Sequence, residues 1–304
     1  MAEMISGSAE KLRERPFISF TAGCLKSPLA FDPEMIDMLR FIVEKGIPVA
    51  LSSAPMAGAT APVTMAGTLT LLHAEELAGI VFTQLVNPGA PVLYGGIPGM
   101  ADMHDLSYRA GGVEFGLMNA AISQLSDYIH IPNYCSAGIT EANIPGMQAI
   151  YEKTFSICQC ALAGSNYIHH AAGVLESILT VEYGQFVIDN EIIGMAMKMI
   201  QGIEVDEDRM AFEEIRAAGP GGDFLSLEHT MRYMRSEFIE PMLVPREKRP
   251  VAESLHEHKP LSVLAHAREK AQKIIADHGV KQLPDAIDAA IRDTYDIVLS
   301  GQID

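Results

Sequence analysis

The sequence contains no tryptophan and only four cysteines among its 304 residues. The cysteines form no CxxC pair and no zinc-binding spacing, so we expect reduced thiols in the core. Cys135 stands apart from the others because a loop of small residues follows it. Motifs that bind zinc through paired histidines, hold phosphates through glycines or activate a serine nucleophile are missing too. The residues therefore predict no bound metal ion and no phosphate cradle.

Positive charge is scarce as well. The chain has 22 lysines and arginines against 39 aspartates and glutamates, a formal net charge of −17. No basic stripe stands out, which argues against a nucleic-acid partner. The first fourteen residues lack the pattern of a signal peptide, and Gly, Thr or His interrupts the longest apolar runs well short of about 18 residues. We accordingly expect a cytoplasmic protein without a membrane span.

The chain does have apolar material for a sizeable core, with 48% hydrophobic and 20% charged residues. Five short apolar stretches are each followed by a segment with helical spacing. No hairpin signal separates them, so the pattern predicts a parallel sheet covered by helices. The predicted strands are Pro16–Thr21, Ile47–Ser52, Val92–Tyr94, Ile131–Cys135 and Asn166–His170. The predicted helices run from the cap Asp32 to Lys45, from the end of the loop Ser52–Thr64 to about Val86, and over Val113–Tyr128, Pro145–Ala163 and Glu182–Gly202.

The predicted fold class is α/β, with a TIM (β/α)8-type barrel favoured over an open doubly wound sheet. The glycine fingerprints of nucleotide-binding doubly wound folds are missing, but five strands are fewer than the eight of a closed barrel. We therefore expect a barrel portion over residues 1–242 that is incomplete on its N-terminal side. A C-terminal extension over residues 243–304 is expected to be helical, acidic and exposed, with a linker at Arg246–Lys259.

The loops after the predicted strands hold the candidate chemistry, because ligands of parallel α/β folds bind at the carboxyl ends of the strands. The stretch Ile131–Lys153 combines a strand, the small residues Ser136–Gly138 and a helix. The loop Gly95–Gly112 is longer than most connections in a compact domain and carries Met103 and Tyr108, which suit a binding site better than solvent. Either loop could instead be a plain connection without a ligand.

Two histidines end the fifth predicted strand. Neighbouring residues of a strand face opposite ways, so we expect at most one of His169 and His170 to point into a barrel. After the next loop, Glu182, Tyr183 and Gln185 supply a carboxylate, an aromatic ring and an amide, a set that would suit a cationic, apolar substrate. The alternatives stay open here: either histidine could be a satisfied core residue, and Glu182 an ordinary carboxylate in the first turn of a helix.

Six stretches of the chain, taken together, resemble the trimethylamine methyltransferase family of corrinoid-dependent methyltransferases. The most specific is APMAGATAPVTMAG at Ala54–Gly67, and the match runs in order over nearly the whole chain. The other five are RERPFISF (Arg13–Phe20), EELAGIVFTQLVNPGAPVLYG (Glu75–Gly95), SAGITEANIPGMQAIYEK (Ser136–Lys153), EYGQFVIDNEIIGM (Glu182–Met195) and GPGGDFLSLEHTMRYMRSEF (Gly219–Phe238).

The resemblance implies a TIM barrel that moves a methyl group from a methylated amine to Co(I) of a cognate corrinoid protein. The chain itself would bind no cobalamin tightly, because the corrinoid arrives on its partner, and the family implies a homo-oligomer. The site residues that we derive from it fall into three groups. The candidate catalytic residues are Ile139, His169 and Glu182; the candidate substrate-binding residues are Tyr94, Met103, Tyr108, His170, Tyr183, Gln185 and His229; and the loops expected to face the corrin ring carry Pro55, Met56, Gly58, Ser136 and Gly138.

Departures from the family's pattern refine this expectation. Ile139 stands where members that act on trimethylamine carry pyrrolysine, and an aliphatic side chain cannot capture an amine covalently. A quaternary amine such as glycine betaine is therefore the expected substrate, and Asp223, in place of Asn or His, would favour a cation if its turn lines the site. Family members also have a long segment before the point that matches Met1, so a second hypothesis is a fragment that only completes another part of a barrel. A third is an unrelated barrel lyase that uses His169 or His170.

Overall fold

The computed structural model of the protein describes residues 1–243, 263–277 and 283–297. The predicted linker at Arg246–Lys259 lies outside these residues. The strands are β1 (Phe20–Ala22), β2 (Leu25–Lys26), β3 (Ala30–Phe31), β4 (Val49–Leu51), β5 (Met56–Ala57), β6 (Val92–Gly95), β7 (Gly99–Ala101), β8 (Tyr108–Arg109), β9 (Asn133–Ser136), β10 (Tyr167–His169), β11 (Val174–Leu175) and β12 (Thr180–Val181). The helices are α1 (Ala2–Ser6), α2 (Ala9–Glu14), α3 (Pro33–Glu44), α4 (Met65–Val86), α5 (Val113–Ile129), α6 (Met147–Leu162), α7 (Tyr183–Gln201), α8 (Glu207–Met210), α9 (Phe212–Ala218), α10 (Glu228–Tyr233), α11 (Val263–Asp277) and α12 (Asp285–Thr294).

Five of the strands, β1, β4, β6, β9 and β10, form one parallel sheet in which each strand lies beside the one before it in this set. Helices α3 to α6 make the connections between them. A strand order that always advances in one direction is that of a barrel wall, whereas a doubly wound sheet reverses at one point. The curled sheet confirms the α/β class and is compatible with a TIM-like barrel.

The sheet has a face covered by helices and a concave face. Ala22 of β1 and Val49 and Leu51 of β4 are buried in one hydrophobic cluster with residues of α3. On β9, Asn133 donates to Ser123 Oγ of α5 at 2.8 Å, which places Asn133 on the helix side. Since side chains alternate along a strand, the residues next to Asn133 and Cys135, namely Tyr134 and Ser136, point to the concave face.

Helix α3 shows how local sequence places an element. The Asp32 carboxylate accepts hydrogen bonds from the backbone amides of Glu34 and Met35 at 3.0 and 3.1 Å, and Pro33 occupies the first turn, where no N–H is needed. Gly46 follows the helix with φ +69°, a conformation that favours glycine. The predicted start and end of this helix are confirmed.

Three small hairpins, which the sequence pattern did not predict, stand at the carboxyl ends of the parallel strands. They are β2–β3 after β1, β7–β8 after β6 and β11–β12 after β10. Strand β5, which follows β4, pairs in parallel with β7. Each of these strands is two or three residues long, too short to leave a period in the sequence. Together the hairpins surround the end of the sheet where the sequence predicts a site.

Helix α4 is, among the described residues, long and apolar enough by length and composition alone to cross a membrane. The expectation that interruptions keep every apolar run too short does not hold for this helix. Its side chains at Glu75 and Glu76 are nevertheless buried against the strand ends, and Leu72 belongs to the main core cluster. A helix of a soluble protein's core passes the same test of composition.

The described C-terminal residues are helical, as predicted, and most of α11 is exposed, but one face of it is not. This helix packs along α7, and its small residues Ala267 and Ala271 are buried in the main core cluster. Arg268 of α11 forms an ion pair of 2.8 Å with Glu182, which precedes α7. Small side chains on α11 therefore allow close contact with α7, and the ion pair lies near the start of α7.

Candidate functional site

An aromatic cluster lies at the carboxyl ends of β9 and β10. It consists of Tyr134, Tyr167, His169 and His170, and we call it the ring cluster. The strand register pairs Tyr167 with Tyr134, so both side chains share the concave face, and His169 follows Tyr167 with the same orientation. The Tyr134 ring centroid is 5.6 Å from the centroids of both Tyr167 and His169. Two neighbouring strands thus bring three rings together.

Hydrogen bonds fix the two imidazoles of the ring cluster. Tyr134 Oη and His169 Nδ1 are hydrogen-bonded at 2.8 Å, and Ser136 Oγ and His170 Nδ1 at 2.7 Å. The expectation that His169 and His170 face opposite ways is wrong, because β10 ends at His169 and His170 has φ +61°. The left-handed turn stacks the two imidazoles with centroids 3.7 Å apart.

Burial keeps Tyr134, His169 and His170 of the ring cluster uncharged near neutral pH. Burial raises the pKa of Tyr134 to about 12, so its phenol keeps the proton. Burial also lowers the pKa of His169, and it lowers that of His170 to about 4, with the nearby charges of His169 and Lys153 adding to the effect. The cluster therefore presents ring faces and neutral polar atoms rather than a cationic imidazolium.

Tyr108 and Ile139 lie beside this cluster. Burial raises the pKa of the Tyr108 phenol, and the nearby phenol of Tyr134 raises it further. Ile139 is fully buried and forms a small hydrophobic cluster with Phe115 and Ala110, against which Tyr108 packs. Ile139 is a packing residue next to the ring cluster.

Glu182, Tyr183 and Gln185 do not converge on one site. The Glu182 carboxylate caps helix α7 by accepting from the Gln185 backbone amide at 2.5 Å, and it also pairs with Arg268. Tyr183 is 68% exposed, whereas the Gln185 side chain is buried and donates to Asp189 at 2.7 Å. The ordinary alternative for Glu182, a carboxylate in the first turn of a helix, is the one that its hydrogen bonds support.

Three more predicted positions lie away from the ring cluster. Tyr94 belongs to the helix side of the sheet, where its hydroxyl meets His73 Nδ1 of α4 at 3.0 Å. His229 lies on α10 and packs on the Tyr233 ring with centroids 4.8 Å apart. Asp223 accepts from the backbone amide of Leu225 in an exposed turn. These positions give no support to a role in substrate binding at the ring cluster.

The loops expected to face a corrin ring divide into two kinds. Met56 and Gly58 are partly exposed, and Met103 of the β7–β8 hairpin lies directly over Gly58. Pro55, Ser136 and Gly138 are buried, so they offer no surface to a large planar ring in this conformation. An apolar groove of about 540 Å³ lies beside the exposed loop, and it is lined by Pro28, Leu29, Ala59, Thr60, Ala61, Pro62, Gly67, Thr70, Leu71 and Ala74.

Tyr134 and Tyr167 are the members of the site that sequence analysis missed. Each lies two residues before a polar residue that was predicted, Ser136 or His169, and period-two alternation puts such residues on one face. That signal was available once the strand ends were known. Over residues 1–243, 263–277 and 283–297, no group of three or more His, Cys, Asp or Glu side chains could hold a metal ion.

The fold and this site define an α/β protein with a curled parallel sheet, compatible with a TIM-like barrel, and an aromatic site at the strand ends. Comparison with known proteins then gives the family. The family model described as trimethylamine methyltransferase (MTTB) matches residues 1–296, and the chain belongs to this family. The hypothesis of an unrelated barrel lyase is therefore wrong.

Named relatives agree with the family model. The chain is 34% identical to the glycine betaine methyltransferase of Desulfitobacterium hafniense strain Y51 over 96% of its own length and 60% of the relative's. It is 35% identical to the trimethylamine methyltransferase MttB of D. hafniense strain DSM 10664 / DCB-2 over 96% of its length and 58% of the relative's. The corresponding enzyme of Methanosarcina thermophila is 36% identical, with 91% and 56% covered. The chain thus spans about three fifths of the length of the curated relatives that it matches.

Proposed function

We propose that the chain is a methyltransferase that moves a methyl group from a quaternary amine, such as glycine betaine, to Co(I) of a cognate corrinoid protein. The ring cluster carries this proposal. Tyr134, Tyr167 and His169 place three rings on one concave face, and ring faces attract a quaternary ammonium by cation–π interaction. The printed functions of the relatives, glycine betaine and trimethylamine methyltransferases, support the reaction class.

A neutral cluster suits this substrate for a physical reason. A quaternary nitrogen has no N–H to donate, so it gains little from hydrogen-bond acceptors and more from the π-faces of aromatic rings. A protonated imidazole in the same place would repel it. Burial lowers the pKa of His169 and His170 and so removes that repulsion near neutral pH.

The reaction needs no proton transfer at the moment when the methyl group moves. The carbon–nitrogen bond breaks, its electron pair stays on nitrogen, and the leaving tertiary amine is neutral, while Co(I) of the partner supplies the pair for the new bond. The chain has to hold the cation, exclude water and align the methyl group with its acceptor. The rings at the strand ends are fitted to the first task, and the full burial of Tyr134 and Ile139 serves the second.

Ile139 bears on the choice of amine. Its side chain is fully buried in an apolar cluster and has no atom that could form a bond to an amine. The proposal therefore favours quaternary amines over trimethylamine. The partly exposed loop with Met56 and Gly58, next to the apolar groove, is the surface we assign to the corrinoid protein. A cytoplasmic homo-oligomer completes this proposal, and the family resemblance is what supports it.

A second candidate is that the chain acts only together with a segment that completes the barrel wall. The observation that favours it is that the sheet has two free edges: within the described residues, β1 and β10 each have one strand neighbour in this sheet. Phe20 on β1 and Tyr167 on β10 are 42% and 44% exposed. A neighbouring strand at either edge would cover such rings.

The test is methyl transfer to cob(I)alamin, free or on a cognate corrinoid protein, followed by the absorbance change from Co(I) to methyl-Co(III). Glycine betaine, carnitine, proline betaine and trimethylamine serve as donors. We expect turnover with one quaternary amine and none with trimethylamine. Silence with all four donors from a folded sample would contradict the solitary methyltransferase. Turnover on adding the segment that completes the barrel would then support the second candidate.

A matched pair of variants tests the role of the ring cluster. Tyr167→Leu removes a ring from the cluster, and we expect KM for the quaternary amine to rise about tenfold, the loss of one cation–π contact. Tyr128→Leu removes an 82% exposed ring on α5 and serves as the control with unchanged KM. Equal KM values for both variants would exclude the ring cluster as the amine site.

A further inference from the structure

A buried ion pair joins helices α6 and α7 behind the ring cluster. Lys153 Nζ lies 2.9 Å from Asp189 Oδ2, and both side chains are completely inaccessible to solvent. Two charges taken from water are costly unless their remaining hydrogen-bonding groups are also satisfied. Here Lys153 also donates to the backbone carbonyl of Gly138, and Asp189 accepts from the backbone amide of Gly173 at 2.7 Å.

These two backbone groups belong to the two loops that follow the strands of the ring cluster. Gly138 follows β9 two residues after Ser136, and Gly173 follows β10 three residues after His170. Both glycines have positive φ, +72° and +82°. The ion pair therefore connects the loop after Ser136 to the loop after His170, and the 2.7 Å hydrogen bond between those two side chains lies between the connected loops.

The loops also touch each other directly. A Cβ atom added to Gly138 would lie 2.7 Å from the backbone carbonyl oxygen of Ala171, which is closer than real Cβ contacts. A small shift of either loop would thus change the approach of Ser136 to His170. The fully buried Gln185 adds rigidity, because its side-chain amide donates to the second oxygen of Asp189 at 2.7 Å.

We propose that Lys153 and Asp189 are positioning residues for the amine site: their ion pair clamps the loops after β9 and β10 and so sets the place of the His170 imidazole against Ser136. This inference rests on the proposed function for its catalytic meaning. Neither residue touches the substrate in this scheme. Both act through His170, the member of the ring cluster closest to the clamped loops in sequence.

Electrostatics gives the proposal a signature that packing alone would not produce. The titratable groups near His170 are His169, Tyr134 and Lys153, with Asp189 behind Lys153. The Lys153 ammonium disfavours a second positive charge on His170, and the Asp189 carboxylate partly offsets it. Removal of the cation should therefore raise the pKa of His170, and removal of the anion should lower it.

The experiment is NMR titration of labelled histidines in the purified chain and in Lys153→Met and Asp189→Asn, at a temperature where circular dichroism shows all of them folded. His170→Gln assigns the resonance. We expect Lys153→Met to raise the pKa of His170 by about one unit and Asp189→Asn to lower it. Leu39→Ala, in the separate cluster under α3, is a core variant that should leave the titration unchanged.

Unchanged His170 titration in both folded variants would overturn the proposal. If neither variant folds, amide hydrogen exchange of the unaltered chain decides. The clamp predicts that the Gly173 amide exchanges as slowly as those of strand β9, and fast exchange would overturn it. None of these measurements requires turnover, so a chain that transfers no methyl group would contradict the proposed function alone.

Discussion

Two of the carboxylates that reach the strand ends from the helix layer differ in charge compensation, because Asp189 has a cation beside it and Glu76 does not. At the ends of β4 and β6, Glu76 of α4 accepts from the backbone amides of Ser53 and Gly95 at 2.8 and 3.4 Å. At the end of β10, Asp189 of α7 accepts from a loop amide and meets Lys153. The two arrangements share a purpose, which is to satisfy backbone N–H groups that the sheet leaves over.

They differ in how they meet the cost of burial. Glu76 is fully buried, and its next neighbour on the helix, Glu75, is another buried carboxyl. Burial raises the pKa of Glu76 to about 8, with Glu75 adding to the effect, so Glu76 keeps its proton at neutral pH. Asp189 has a cation within 2.9 Å instead. A buried carboxyl next to the sheet thus either holds a proton or holds a partner, and the two solutions respond differently to mutation and pH.

The largest difference is expected from removing one side of the ion pair. Lys153→Met leaves Asp189 buried without a counter-charge, so the free energy of unfolding should fall by about 3 to 5 kcal/mol. Glu76→Gln replaces a protonated acid by a neutral amide of the same shape, which can still accept from Ser53 and loses only the long 3.4 Å hydrogen bond from Gly95, so it should cost about 1 kcal/mol. Urea unfolding at pH 5 measures both, since at that pH Glu76 has lost little stability to ionisation of the unfolded chain. Equal losses of unfolding free energy in the two variants would show that Asp189 and Glu76 do not meet the cost of burial in different ways.

The second difference concerns pH. The pKa of Glu76 is about 8 in the folded chain against 4.5 when exposed, so between these values the folded state holds a proton that the unfolded state releases. Stability from this group is complete below pH 4.5 and is lost as pH rises toward 8, at up to about 1.4 kcal/mol per unit.

Glu76→Gln isolates that contribution, because buried His170 acts in the opposite direction. Its lowered pKa makes stability fall as pH drops from about 6.5 toward 4. We therefore expect the difference in unfolding free energy, native chain minus Glu76→Gln, to decrease between pH 5 and pH 8 by about 3 kcal/mol. Urea titrations at several pH values measure it. A difference that stays level would mean that Glu76 is ionised throughout.

The third expected effect is at the clamped loop. Gly138→Ala adds a Cβ at φ +72° within 2.7 Å of the Ala171 backbone, so we expect a loss of about 2 to 3 kcal/mol and a weaker Ser136–His170 contact. Gly89→Ala is the matched control, since Gly89 has φ +84° but no heavy atom within 4 Å of the new Cβ. Thermal unfolding compares them. If both variants lost the same amount of unfolding free energy, backbone strain alone would explain the loss, and the close contact with Ala171 would contribute nothing.

The sequence predicts the parallel layer well because its signals are local. Asp32, Pro33 and Gly46 bracket α3 through capping and backbone preference, and the five apolar stretches overlap the five parallel strands. The hairpins escape prediction because two-residue strands carry no period. Each hairpin pairs two segments that are close together in the chain, whereas the parallel pairing of β5 with β7 joins loops that are far apart in sequence.

The site is less predictable because its geometry depends on contacts between elements that are distant in sequence. The stacking of His169 and His170 depends on one left-handed residue, and no motif around it demands that turn. Strand β6 is predicted correctly, yet Tyr94 faces α4 because a strand's buried face is decided by what packs on it. The partnership of Lys153 with Asp189 joins two helices, so it leaves no trace in the spacing of either.

The smallest effect is expected at a third kind of carboxylate, the partly buried Glu182 just before α7, whose partner is exposed. Glu182 pairs with Arg268 at 2.8 Å, but Arg268 is about half exposed, so water and salt screen the attraction. Arg268→Ala should lower the free energy of unfolding by less than about 1 kcal/mol, and the loss should shrink in 1 M NaCl. Arg216→Ala, at a pair with both side chains about three quarters exposed, is the control and should cost still less. A loss as large as that of Lys153→Met, or one that salt leaves unchanged, would mean that the Arg268–Glu182 ion pair is a main attachment of α11 to α7. Burial would then no longer be what separates the strong ion pair from the weak ones.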